Sequence, residues 1–550
     1  GSNNVAVGRL ALTANTTGDR NTAVGYQSLD ANTTANNNTA IGYQALTANT
    51  TGTKNVAVGD TSLASNTTGE KNTAIGTDAM AANSTGEKNT AVGYNCLGAV
   101  TTGNHNSALG NQALEHNNTG SNNVAIGHSA LTANTTASNN VAVGKDCLAA
   151  NTTGTQNTAV GANSLDGCNE SNNTAVGYNT LGSASLGSGD NVAVGTYALQ
   201  NQTTGNGRNV AVGKSCLEDN TTGAENTGMG WYALANNTTG GQNTGLGRNA
   251  LKTNTTGGYN VAVGFNALEN NSTANNNTAV GKDCLRYNTT GTANTAVGTN
   301  ALDANTTGNY NTGIGRSALL STTTGSSLTA VGIDSLKDNT TGYNNTAVGF
   351  EAQQNVTTGA GNASCGHNTL NACTTGGSNT AIGNTAGGEV TTGNGNSFLG
   401  NDAGRSNSPS GAVTTGSNII CLGDNGITNL YCADTSISSS DKRDKTDIND
   451  FTHGLNWINQ LKPVTYRWDK RTWYDDNTPD GSKKRNKKHI GFLAQDVLAI
   501  EGNPTDKDDM LIVNLNEDDT AYGLKYERLV PVLVNAIKEL SAKVAALEAK

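Results

Sequence analysis

The feature that most restricts the fold is a clock. The glycine of a recurring Thr/Val-Ala-Val/Ile-Gly motif stands at 8, 25, 42, 59, 76, 93, 110, 127, 144 and 161, every step 17 residues. Small slips place the next marks at 177, 195 and 213. The step of 17 then resumes to Gly400, for 24 marks in all, with a last irregular one at Gly423. The consensus is N-T-A-V-G-x-x-A-L-x-x-N-T-T-G-x-x. A fixed period near 20 marks a solenoid, in which each repeat buries the face of its neighbour.

Seventeen residues are too few for a helix pair. Thr22 and Val24 alternate with Ala23 at period 2, which predicts a short strand. Gly25 then turns the backbone, and a second segment carrying Ala45 and Leu46 packs inward. Asn49 to Gly52, Asn-Thr-Thr-Gly, is turn chemistry, with the glycine expected at positive φ. Coils pairing edge to edge at about 4.8 Å would make a rod of roughly 115 Å. One Val/Ile and one Leu per coil is a thin core, which argues for burying further surface between chains.

Composition agrees with a stack. The 550 residues are 34% hydrophobic and 4% aromatic, too poor for a globule of this length, while 14% charge is low for a disordered chain. The net charge of −10 is spread thinly, and no basic stripe points to nucleic acid. No apolar run approaches the roughly 18–20 residues of a membrane span. The chain opens within a repeat, GSNNVAVG, from which an upstream attachment region is expected.

The NNVAVG and NTAVG motifs resemble the NSVAIG coils in the heads of trimeric autotransporter adhesins. The resemblance covers about 400 residues. It implies a parallel β-roll, left-handed in that family, that trimerises through its apolar strand. The 17-residue period and the NTTG turn depart from the family pattern.

Within the repeats, Cys96, Cys147, Cys216 and Cys284 all stand three residues after a marker glycine, where the consensus has Ala. They read as buried free thiols. Cys96 and Cys147, three coils and about 14 Å apart, are too distant to bridge. Cys365 and Cys373 straddle half a coil, where a bridge has nothing to support it. The position after each marker glycine accepts Tyr26, Tyr43, Tyr94, Lys145, Tyr178, Trp231, Arg248, Phe265, Arg316 and Phe350, so this column faces solvent. Exposed aromatics in a line can stack on sugars or meet a protein receptor, and the plainer reading is a tolerant surface without a partner. The NTT turns match glycosylation sequons, but stacked Asn and Thr side chains that satisfy one another explain them more simply. The six His show no metal-ligand spacing, no phosphate-binding glycine loop precedes a helix, and no cofactor is implied.

From Ser440 the composition changes. The last 110 residues hold 18 of the 33 Lys and Arg and three of the four Trp. LNWINQL reads as helix, PVTYRW as strand, and the chain ends in a helix whose Leu533, Ile537, Leu540, Val544 and Leu547 step 4-3-4-3 as a heptad seam. In order, SSSDKRDKTDI, LKPVTYRW, HIGFLAQDV and YERLVPVLVNAIKEL resemble the endosialidase-type C-terminal intramolecular chaperone, which closes phage tailspikes, tail fibres and other trimeric proteins. The resemblance implies a chaperone that assembles the fibre ahead of it and then cuts itself off with a Ser–Lys dyad, here Ser440 and Lys445. Lysine can take the serine proton only when neutral, which burial and the cations Lys442 and Arg443 would favour. Attack by Ser440 on the preceding carbonyl closes a five-membered ring, so the Ser439–Ser440 bond is the expected cleavage point. Asp441 and Arg443 belong to the same motif. Gly491, Phe492, Gln495 and Asp496 serve folding or position the dyad, and His489 reads as structural or supporting.

The expected architecture is therefore mostly β. Residues 1–400 form a trimeric parallel β-solenoid shaft, 401–439 an irregular last coil and transition, and 440–550 a small α+β chaperone ending in a coiled-coil helix. The expected function is a homotrimeric phage tail fibre, virion-borne, that meets a host-surface glycan or protein receptor without entering a membrane. Its chaperone would be made in the host cytoplasm and released. The rivals are a glycan-degrading tailspike, for which no globular insert interrupts the clock, and a bacterial trimeric surface adhesin.

Overall fold

The computed structural model describes residues 1–182, 189–203, 207–427, 445–446, 448–471, 474, 476, 478–504, 509–515 and 522–549. The chain forms two compact units, Gly1–Asn344 and Asn345–Lys550.

The first unit is a parallel β-solenoid. Three-residue strands, from β1 (Val5–Val7) to β20 (Thr329–Val331), occur once per coil. Each pairs in parallel and in register with the next, as Thr22↔Thr39, Ala23↔Ala40 and Val24↔Ile41 show. The slipped repeats keep this register, with Ala159 opposite Ala175 and Ala175 opposite Ala193. Insertions therefore fall outside the strands. The marker glycines turn the chain at φ values such as +142° at Gly42, and a Cβ there would collide with the carbonyl oxygen of Gly59 one coil on.

The inward face differs from the sequence expectation. From β2 on, the central Ala of a strand, or the Gly that replaces it at 228, 245 and 313, is buried, while the flanking Thr and Val/Ile turn outward, Ile41 and Ile75 being 40% and 41% exposed. Ala and Leu thus make the core, and Val/Ile does not. The second segment does pack inward as expected. Ala45 and Leu46 are fully buried, and Leu46 N donates to Ser62 O (2.9 Å) in the next coil while Gln44 N donates to Tyr26 O (2.8 Å) in the previous one. Leu46 holds a left-handed φ of +54°, uncommon for a branched residue, in a backbone whose polar groups are paired on both sides.

Two columns of buried asparagine complete the interior. In one, Asn38 N donates to Asn21 Oδ1 (3.0 Å) and Asn38 Nδ2 to Gly52 O (2.9 Å), and Asn55 repeats both bonds at 2.9 and 2.8 Å. In the other, Asn49 Nδ2 donates to Asn32 Oδ1 and to Gly52 O, both at 3.0 Å. The sequon asparagines are thus fully buried and already bonded, as their stacking predicts. The NTTG glycine is a correction. It does not adopt positive φ, and alanine replaces it at 35, 137 and 274. Glycine serves there because a Cβ on Gly52 would crowd Gly69 O and Asn49 Oδ1.

The second unit begins with five further strands, β21 (Thr346–Val348) to β25 (Ile420–Leu422), stacked in the same way. Here the core trades volumes. Phe398 takes the central strand position, and Gly387 and Gly404 stand where Leu would, because a Cβ on either would strike the Phe398 ring. The remainder is α+β: α1 (Leu455–Ile458), β26 (Val464–Tyr466), β27 (His489–Gly491), α2 (Ala494–Ile500), β28 (Val513–Leu515), β29 (Tyr522–Leu524) and α3 (Leu529–Glu548). β26 pairs antiparallel with β27, and β28 with β29. Trp457, Val497, Met510, Ile512, Val513, Leu529 and Val532 form its small core.

Candidate release site and surface columns

Of the expected dyad, Lys445 is exposed on the chain. Ser440 lies outside the described residues, as do Ser439, Asp441, Lys442 and Arg443. The segment that follows is pinned. Asn535 Nδ2 on α3 donates to Phe451 O (2.6 Å) and His453 O (3.3 Å), and Leu455 N donates to Glu539 Oε2 (3.0 Å). A strap of chain from 451 to 455 is therefore held along α3 by two side chains one helical turn apart.

The supporting residues fall into two groups. His489 stacks on Tyr466 with ring centroids 5.6 Å apart, and Trp468 meets the imidazole edge-on at 6.3 Å. Phe492 N donates to the Tyr526 hydroxyl (3.0 Å), and a Cβ on buried Gly491 would stand 2.5 Å from that oxygen. Gln495 and Asp496 are exposed in the first turn of α2. Sequence reasoning missed Tyr526, Asn535, Glu539 and Glu501, whose Oε1 accepts from Ile512 N (2.6 Å). Their common signal is a polar residue beside the apolar positions of a helix or turn, visible only once the partner strand is known.

On the solenoid, the column after the marker glycines does face solvent. Tyr43, Tyr94, Tyr178, Trp231, Phe265 and Phe350 are exposed and Tyr26 half-buried. The rings largely stack on their own column. Tyr26 and Tyr43 lie 5.3 Å apart at 11°, Phe350 lies 5.3 Å from His367, and the Arg248 guanidinium sits 4.8 Å from Trp231 and 5.7 Å from Phe265. Such pairs are worth about 0.5–1.5 kcal/mol each and turn the ring faces along the stack.

Eight described cysteines are free, including Cys365 and Cys373, and Cys365 alone is exposed. Burial pushes the thiols of Cys96, Cys147 and Cys216 up to about 12. Among the described residues no cluster of His, Cys, Asp and Glu could hold a metal, and no helix is long and apolar enough to cross a membrane.

Residues 440–505 match the family model described as chaperone of endosialidase. No curated protein and no solved structure matches the chain. The matched segment starts at Ser440, covers the 451–455 strap, β26, β27 and α2, and follows the solenoid in the chain. Residues 440–505 are thus an endosialidase-type chaperone domain, and their union with a parallel β-solenoid fits a protein of the phage tail-fibre or tailspike type.

Proposed function

We propose that this chain is a homotrimeric phage tail fibre for host-surface attachment. Residues 1–400 are its shaft, 401–439 a transition, and 440–550 a chaperone that drives trimerisation and folding and then releases itself. One observation carries the reading: among the described residues, both parts of the chain present a long, outward apolar face. The shaft offers its outward Val/Ile column, and α3 offers Leu533, Ile537, Leu540, Val544 and Leu547, with Ile537 62% and Leu547 71% exposed. Exposed apolar columns of this length on a soluble protein are surfaces for association. The three-chain count rests on the chaperone family and on the adhesin-head resemblance. A glycan or protein receptor on the host is the partner such a fibre meets. The release puts the mature fibre on the virion and leaves the chaperone in the host cytoplasm.

Release is a single turnover on the protein's own chain. The Ser440 hydroxyl attacks the Ser439 carbonyl carbon, and neutral Lys445 takes the proton. Lys445 then passes that proton to the amide nitrogen, which leaves as the Ser440 amine and gives an ester between the Ser439 acyl group and Ser440 Oγ. Water then hydrolyses that ester to a Ser439 carboxylate and a free Ser440 hydroxyl. Assembly is what brings Lys445 and Ser440 together out of water.

The test is intact-mass spectrometry with light scattering on the whole chain. The expected result is a trimer cut beside Ser440, with Ser440→Ala and Lys445→Ala giving uncut trimers of 56.0 kDa chains. A chain lacking 440–550 that still folds into normal trimers sinks the chaperone role. A Ser440→Ala chain cut at the same bond sinks the dyad.

A further inference from the structure

α3 presents three distinct faces. Leu529, Val532 and Ala536 are buried in the domain core. Leu533, Ile537, Leu540, Val544 and Leu547 form the exposed seam. On the other side of the buried face from the seam, Asn535 and Glu539 grip the backbone of the strap at Phe451, His453 and Leu455. Gly454 lies so close to this grip that a Cβ on it would collide with Glu539 Oε1. The glycine therefore lets the strap approach the carboxylate.

We infer that Asn535 and Glu539 are positioning residues that couple assembly of the α3 seam to cleavage. The proposal rests on the release reading above and adds the physical link. Beyond Ala536, α3 has no further residue buried in its own domain, so its C-terminal turns fray unless their seam packs against other copies. The strap is anchored by side chains in the same turns as Leu533, Ile537 and Leu540, so seam order becomes strap order. Phe451 is six residues beyond Lys445, a reach of at most about 20 Å of extended chain. Fixing the strap confines the lysine and removes conformers in which it cannot meet Ser440. Misplacing a catalytic group by about 1 Å from afar can cost roughly 100-fold in rate.

The experiment follows cleavage of the full-length chain over time by gel and intact mass, trimer content by light scattering, and amide exchange across 451–455. The double variant Asn535→Ala/Glu539→Ala should still trimerise, exchange faster in the strap, and cleave roughly tenfold or more slowly. Glu539→Gln keeps an oxygen acceptor for Leu455 N and should stay within about twofold of the parent, as should Lys538→Ala on an exposed neighbour. Gly454→Ala displaces the carboxylate without touching the helix sequence and should reproduce the slow cleavage. Trimers of the double variant cut at the parental rate overturn the coupling while leaving the release reading intact. Loss of trimer in both the double variant and Gly454→Ala makes these residues structural and also overturns it. A parent chain that is never cut, or one cut equally as Ser440→Ala, overturns the release reading, and the coupling falls with it.

Discussion

Asn55→Ala should loosen the solenoid locally and strongly. Asn55 is fully buried, and its two side-chain bonds serve different neighbours. Oδ1 accepts from Asn72 N (2.9 Å), and Nδ2 donates to Gly69 O (2.8 Å). Gly69 O keeps a second donor, Asn66 Nδ2 at 3.1 Å, so losing the amide there costs about 1 kcal/mol. Asn72 N faces Asn55 and would be left as a buried, unsatisfied donor, at about 1–3 kcal/mol. The sum is about 2–4 kcal/mol, confined to the coils on either side because a stack couples nearest neighbours. Hydrogen exchange of the 66–76 peptide is the assay, and protection should fall roughly 30- to 700-fold, at 1.4 kcal/mol per tenfold. Thr50→Ala is the control. Its hydroxyl donates to Thr67 O (3.1 Å), an oxygen that also accepts Thr50 N (3.0 Å), so that removal should cost under about 1 kcal/mol. Equal exchange in the two variants would refute the idea that the asparagine column is what holds successive coils together.

Two further outcomes follow from buried titratable groups. Burial raises the Asp303 carboxyl to about 6, with Asp283 adding to the rise and Arg286 opposing it. The folded state therefore binds the proton more tightly than the unfolded chain, so the stabilising protonated form is complete below about pH 4 and lost as pH rises through 6. Asp303→Asn should stabilise the fold at pH 7.5 by about 1 kcal/mol once partial exposure is discounted, read as a raised apparent Tm, and leave the Tm unchanged at pH 4. Equal shifts at both pH values would contradict this. In native protein at pH 8, a thiol-disulfide reagent should spare Cys96, Cys147, Cys168, Cys216, Cys284 and Cys373, whose thiols are pushed up to about 11 or 12, and should reach Cys365, which stands in the outward column, only in chains whose column is uncovered. Rapid native labelling of any of these six would show that the coils open.

The period, strand positions, buried thiols and outward aromatic column were legible because each follows from recurrence at 17 residues. The choice of inward residue was not, since Thr-Ala-Val alternates equally well with either face buried. The deciding signal lay in what each position tolerates along the stack. The middle of the strand holds Ala in most coils and Gly at 228, 245 and 313, whereas the third position wanders among Val, Ile, Leu and Met. A slot that admits only small residues is one with something close behind it. A Cβ on Gly245 would lie 3.3 Å from Leu234 Cδ1, and one on Gly313 3.4 Å from Leu302 Cγ. Only where the Leu column turns to Gly, at 387 and 404, does the slot open far enough for Phe398. The proposed release site rests on its motif alone, because a five-residue spacing says which groups are near and nothing about what orders them. Asn535 and Glu539 lie more than 80 residues further along the chain from the strap they hold, and no local pattern joins them to it. Placing Ala inside has a consequence for assembly. Phe398 apart, the larger apolar side chain of a Thr/Val-Ala-Val/Ile strand is left outside its own coil, so a single chain buries its Leu and Ala and leaves the Val/Ile column outward.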